Sequence, residues 1–197
     1  MYIRVPEEIP DSRLATIQLA NPIAMIFGMQ FRMALTSLNP RSPLVRALVK
    51  RNPGGIAAID RERIVARNLE IPSGGGVGTA RGIARIYSAF STAGGALGLR
   101  PETLQLLMAP AIPAVHGFYD EGLKTEAKFS LGFSKPVPWL PFGRPGAFAA
   151  PGAGGSFGFA DPEREIAYAY VTNRQGPNVI VDARDIALRD AVSSVVP

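Results

Sequence analysis

Cysteine is absent from the 197 residues, which excludes disulfides, thiolate metal sites and a cysteine nucleophile while leaving either redox compartment open. Histidine is scarce too. His116 is the only one, so no histidine-built metal centre is expected, and no cofactor of any other kind. There is no block of like charge. The formal net charge of +5 comes from arginines scattered along the chain, without interleaved basic and aromatic residues, and this pattern serves solubility rather than a nucleic-acid partner. Long apolar runs are missing as well. Residues 22–38 are the most apolar stretch, but Gly28, Gln30 and Arg32 interrupt it before the roughly 18 continuous apolar residues that a membrane span needs. Met1–Arg13 has no basic start followed by an apolar core. No secretory signal is expected there, and the protein is expected to be cytoplasmic.

What is present suits one buried core: 47% of the residues are hydrophobic, enough for a single domain at this length. Residues 1–123 read as helices and loops, and residues 124–197 as strands followed by a terminal helix. Tyr2, Ile3 and Val5 look extended until Pro6 and Pro10 break the pattern. Met25, Met29 and Met33, spaced by four, would share one helical face as core packing, with a lipid-binding face as the alternative. Leu44–Lys50 is a short helix candidate after Pro43, stopped by Asn52-Pro53-Gly54-Gly55. Thr79 can cap a helix that shows Ile83, Tyr87 and Phe90 on one stripe and ends at Gly94-Gly95. Pro101 starts another, to about Met108. Lys124–Phe133 alternates as one strand, and Pro136–Pro145 is a proline-broken loop carrying Trp139, the only tryptophan. Asp182 caps a final helix to Val195, with Ile186, Ala187 and Val192 inward.

The chain is organised around Phe148–Arg174. Ser156–Ala160 forms a strand-like run, Asp161-Pro162-Glu163-Arg164 a turn, and Ile166–Thr172 a second run, which together make a hairpin. In the second arm both faces are apolar, Ile166, Tyr168 and Tyr170 on one and Ala167, Ala169 and Val171 on the other, which predicts an interior strand covered on both sides. Ahead of the hairpin, Pro151-Gly152-Ala153-Gly154-Gly155 has almost no side chains. Such a corner reaches positive φ and lets another group approach its backbone, or it is a plain tight turn.

Two residues look chemical at first sight. Gly154-Gly155-Ser156-Phe157-Gly158 satisfies the G-x-S-x-G nucleophile elbow, which needs a strand turning sharply into a helix. The run after Ser156 reads as a strand, and His116 precedes the serine where that fold places its histidine last, so a plain strand serine is the preferred reading and the elbow the alternative. His116 could be a general base, although a lone histidine is more often a surface or core residue.

Ala150–Pro162 followed by Ala167–Arg174 resembles the third active-site strand and next hairpin of the serine beta-lactamase-related hydrolases, which include penicillin-binding-protein-like esterases and class C beta-lactamases. Pro72–Tyr87, Gly94-Gly95 and Pro101-Glu102-Thr103 are similar to the segment of that family leading into the helices before this strand. The resemblance runs from about Tyr2 to Val192 and covers only the family's C-terminal half. It implies an α+β fold, beta-lactamase/transpeptidase-like, with an antiparallel sheet flanked by helices and the N-terminal part missing, so that residues 1–197 form one incomplete domain. It also implies acyl transfer on small ester or amide substrates, through a serine activated by a lysine three residues on and assisted by a tyrosine of a second motif. No serine here has a lysine at the third following position, and no Tyr-x-Asn or Tyr-x-Ser triplet occurs. Lys124-Thr125 echoes the family's Lys-Thr-Gly, but Glu126 replaces the glycine. The third motif aligns instead with Ala150-Pro151-Gly152, its first residue changed to alanine. Ala150, Pro151, Gly152 and Ala153 would then line the substrate, and the Ala153 N–H would match half of the family's oxyanion hole. Two functions are implied: part of a serine hydrolase, inactive alone, or a degenerate member acting by binding. A missing half would also leave apolar surface open to association, near Ile166, Tyr168, Tyr170 and the methionine face.

Overall fold

A computed structural model describes residues 1–21, 24, 35–36, 38–48, 70, 75–178 and 180–196. The methionine face of Met25, Met29 and Met33 and the Asn52–Gly55 stop lie outside these residues.

Helices form where the local signals place them. α1 spans Pro43–Leu48, and Ser42 Oγ accepts from the Val45 N–H at 3.2 Å, a cap that the flanking prolines overshadow in the sequence. α2 spans Ala80–Ser91, with Thr79 Oγ1 accepting from the Gly82 N–H at 3.1 Å. α3 spans Pro101–Met108, its proline at the first turn where no N–H is needed. α4 spans Ala183–Val195 behind the Asp182 cap.

The strands are arranged in the order of the chain. β1 (Tyr119–Asp120) and β2 (Thr125–Glu126) make a separate hairpin. β3 (Phe129–Ser130), β4 (Phe133–Ser134), β5 (Phe148–Pro151), β6 (Phe157–Asp161) and β7 (Ile166–Tyr170) then pair antiparallel in sequence order. The Phe157↔Tyr170 to Asp161↔Ile166 register gives the expected hairpin. The architecture is α+β, an antiparallel sheet with helices on its faces.

Alternation along the strands splits the core in two. Phe148 and Ala160 face α2 and α3, packing with Tyr87 and Leu107, while Ala149, Phe157 and Phe159 face the other way, with Val137, Leu140 and Phe142 from the proline-broken loop. That loop therefore supplies core as well as connection. Phe90, Phe133 and Phe148 meet edge to face, with ring centroids 5.2 to 6.2 Å apart, a favoured geometry for aromatic quadrupoles. Gly158 lets α2 lie directly on β6: a Cβ there would sit 2.5 Å from Tyr87 Cε2.

Three expectations are corrected. β7 is the last strand of the sheet, so among the described residues it is an edge strand, although both of its faces are covered. On it, Ile166 and Tyr168 are half-buried against the loop-side cluster. Lys124–Phe133 is not one strand, because Lys124 and Leu131 take φ of 57° and 49° and break it into β2, β3 and the start of β4. On α4 the buried face carries Asp185 and Arg189, while Ala187 is exposed. The pair can be buried because Arg189 Nε donates to Asp185 Oδ2 at 2.9 Å, Tyr168 Oη donates to Asp185 Oδ1 at 2.9 Å, and Arg189 also donates to the Pro141 carbonyl.

Candidate active site

The glycine-rich corner joins β5 to β6. The Gly152 N–H donates to the Ser156 carbonyl at 2.7 Å and the Gly155 N–H donates to the Gly152 carbonyl at 3.2 Å. Gly154 and Gly155 take φ of 81° and 106°, the left-handed side that a side chain would strain. They are also crowded, since a Cβ on Gly154 would come within 2.5 Å of Gln175 and one on Gly155 within 2.4 Å of Asp182. Ala153 is exposed at the tip, and its N–H donates to no described residue.

The predicted site residues Ala150, Pro151, Gly152 and Ala153 thus form the end of β5 and the start of the corner, side by side. Ala150 is paired with Gly158 and Pro151 with Phe157. Tyr87, seen in the sequence only as part of a helical stripe, lies beneath this edge. Burial pushes its hydroxyl up to about 12, opposed by a hydrogen bond from the Ala150 backbone.

Ser156 closes the corner and leads into β6, not into a helix, so the elbow geometry is not met. Its Oγ accepts only a long 3.5 Å bond from the Thr172 N–H, and no base is bonded to it among the described residues. His116 is exposed on the Ala114–Gly117 turn and has no hydrogen bond to the corner. Lys124 is tied to Glu121 at 2.6 Å on the β1–β2 hairpin. The corner does not bring these candidates together.

Sequence reasoning missed the buried polar groups at the end of β5 and β6 away from the corner. Lys135 is buried and donates to the Leu107 carbonyl at 2.5 Å and the Gly146 carbonyl at 3.3 Å, joining the end of α3 to the loop before β5. Desolvation lowers its pKa. Asp161, fully buried, accepts from the Arg144 N–H at 2.8 Å and the Glu163 N–H at 3.2 Å. A buried lysine without a carboxylate leaves no pattern in a sequence. The Asp-Pro step was legible as a turn, but its long-range bond to Arg144 was not.

A model of the beta-lactamase family matches residues 21–193. The chain belongs to the beta-lactamase family. Within it, the chain is 36% identical over 133 residues to the esterase/beta-lactamase LipL of Mycobacterium tuberculosis, a match covering 66% of this chain and 30% of that protein. Among solved structures it is similar to EstA from Arthrobacter nitroguajacolicus Rue61a, at 28% identity and a TM-score of 0.72, over 98% of this chain and 49% of that one. A family VIII carboxylesterase gives 25% identity and a TM-score of 0.70, over 98% and 46%. A penicillin-binding protein homologue from Caulobacter crescentus gives 33% and 0.58, over 64% and 34%. This beta-lactamase family chain spans half or less of the length of each relative. Among its described residues no helix is long and apolar enough to cross a membrane.

Proposed function

We propose that this chain is the C-terminal part of a beta-lactamase-like serine hydrolase acting by acyl transfer on small ester or amide substrates, as one incomplete domain working in the cytoplasm. The carrying observation is the N–H of the exposed Ala153, which donates to no described residue just past the end of β5, in a family member whose relatives include named esterases. Ala150, Pro151, Gly152 and Ala153 form the edge along which the acyl group lies. The Ala153 N–H donates to the oxygen that gains charge as the carbonyl becomes tetrahedral, an interaction worth about 3 kcal/mol in such sites. The nucleophile and its lysine come from outside these 197 residues, which hold no Ser-x-x-Lys. Alone, the chain is therefore silent, and it associates through apolar residues such as Ile112, Val115 and Leu131, all exposed.

A second reading, a binding module without catalysis, is favoured by one observation. Ala150 puts a methyl group where the resembled motif has lysine or histidine, so this strand offers no proton or charge.

Purified chain treated with a fluorophosphonate probe and nitrophenyl esters is expected to show neither labelling nor turnover. Labelling abolished by Ser156→Ala would refute the assignment. Adding a fragment that carries the family's Ser-x-x-Lys and Tyr-x-Asn segments should restore labelling on the added serine. Ligand binding without turnover in that mixture would select the binding module.

A further inference from the structure

An N–H is useful as an oxyanion donor only if its direction is fixed before the substrate arrives. The Ala153 N–H shares a planar trans peptide with the Gly152 carbonyl, so the two point in opposite directions and whatever holds one aims the other. The Gly152 carbonyl is held by the Gly155 N–H at 3.2 Å. Gly155, with φ of 106°, has no conformational preference of its own to keep it there.

What confines Gly155 is the N-cap of α4. A Cβ on Gly155 would lie 2.4 Å from Asp182 Cβ, and one on Gly176 would lie 2.6 Å from Asp182 Oδ2, so the Asp182 side chain is wedged between two glycines. The same segment is stitched to the corner by the Gly176 N–H donating to the Gly154 carbonyl at 2.9 Å. Asp182 cannot swing away. It is 3% exposed, and its carboxylate accepts from the Arg184 N–H at 2.8 Å, Arg184 Nε at 2.9 Å and Arg184 Nη2 at 2.5 Å. Arg184 Nη2 also donates to the Arg174 carbonyl at 2.7 Å, which ties the strand-end segment to the same fork.

We propose that Asp182 and Arg184 are positioning residues for the Ala153 N–H, acting through Gly155 and the Gly152 carbonyl; the catalytic meaning of that aim rests on the hydrolase reading above. Neither residue touches the substrate edge.

The test tracks single amides of the full chain by hydrogen exchange and by ¹⁵N-resolved NMR. Asp182→Ala should speed exchange at Gly155 by about tenfold and shift the Ala153 amide resonance, while β6 and β7 amides hold their rates. Should that variant fail to fold, Arg184→Gln keeps the backbone cap and removes the fork. It should speed Gly155 by about threefold with α4 unchanged, and Arg184→Lys should restore part of the loss. An unmoved Gly155 rate and Ala153 resonance in Arg184→Gln would overturn the proposal, as would equal acceleration across α4, β6 and the corner. Because exchange is read without turnover, a chain that hydrolyses nothing with its added half would count against the hydrolase and not against this clamp.

Discussion

The buried pair on α4 offers the sharpest quantitative test. Asp185 and Arg189 are 1% and 4% exposed, and the guanidinium also lies over the Phe157 ring at 4.4 Å. Arg189→Met strands a buried carboxylate with only the Tyr168 hydroxyl, and Asp185→Leu strands a guanidinium whose Nη2 already has no partner among the described residues. Each should cost about 3–5 kcal/mol, the range for removing one member of a buried pair. For a chain of this size that corresponds to a fall in melting temperature of about 6 to 20 °C. The double variant Asp185→Leu/Arg189→Met leaves no buried charge in the pair and fills the space with apolar atoms. It should fall within about 2 kcal/mol of the parent, or exceed it, because the unpartnered Nη2 is removed as well. The assay is urea unfolding monitored by the fluorescence of Trp139, which packs on the loop-side cluster and donates to the Glu126 carbonyl at 2.6 Å. Strictly additive losses in the double variant would refute the reasoning, since coupling is what a desolvated pair requires.

Three further outcomes are expected. Gly158→Ala should cost about 1–3 kcal/mol, because the methyl meets the rigid Tyr87 ring at 2.5 Å; a neutral result in thermal melts would mean that α2 can retreat from β6. Phe148→Ala, which empties a fully buried aromatic site between Phe90 and Phe133, should cost about 3–5 kcal/mol in denaturant titration. Hydrogen bonding from Arg184 lowers the Asp182 pKa below its ordinary 3.8, so its contribution is fully present above that value and is lost as pH falls through the lower folded pKa. Melting temperatures recorded from neutral to strongly acidic pH should fall less steeply for Asp182→Asn than for the parent, and parallel curves would show that this carboxylate does not carry the dependence.

The legible parts of the fold share one property: their cause is local. Thr79, Pro101 and Asp182 announce α2, α3 and α4 within a turn of each helix start, and the Asp161–Arg164 turn between two strand-like runs places the β6–β7 hairpin. Ile166–Val171 reads as interior because α2 and the loop-side cluster cover its two faces, yet covered faces say nothing about which strands lie alongside. Asp185 and Arg189 look like a solvated i, i+4 pair until Tyr168 and the Pro141 carbonyl are brought to them across the fold. At the site, the small residues of Pro151–Gly155 mark the corner plainly. The group that fills the space they leave, Asp182, is visible in the sequence only as a helix cap.

The sequential order of β3 to β7 has a consequence for how the chain is made. Each strand leaves the ribosome next to the partner it will pair with, so the sheet can grow by short loop closures without waiting for distant segments. The corner at Gly152–Gly155 is different, because its two ends are in place once β6 has paired with β5 while its wedge is still to be synthesised. Until Asp182 and Arg184 emerge and α4 winds behind them, the corner is a loop of glycines free to sample many shapes. The last helix therefore finishes the geometry that an earlier strand begins.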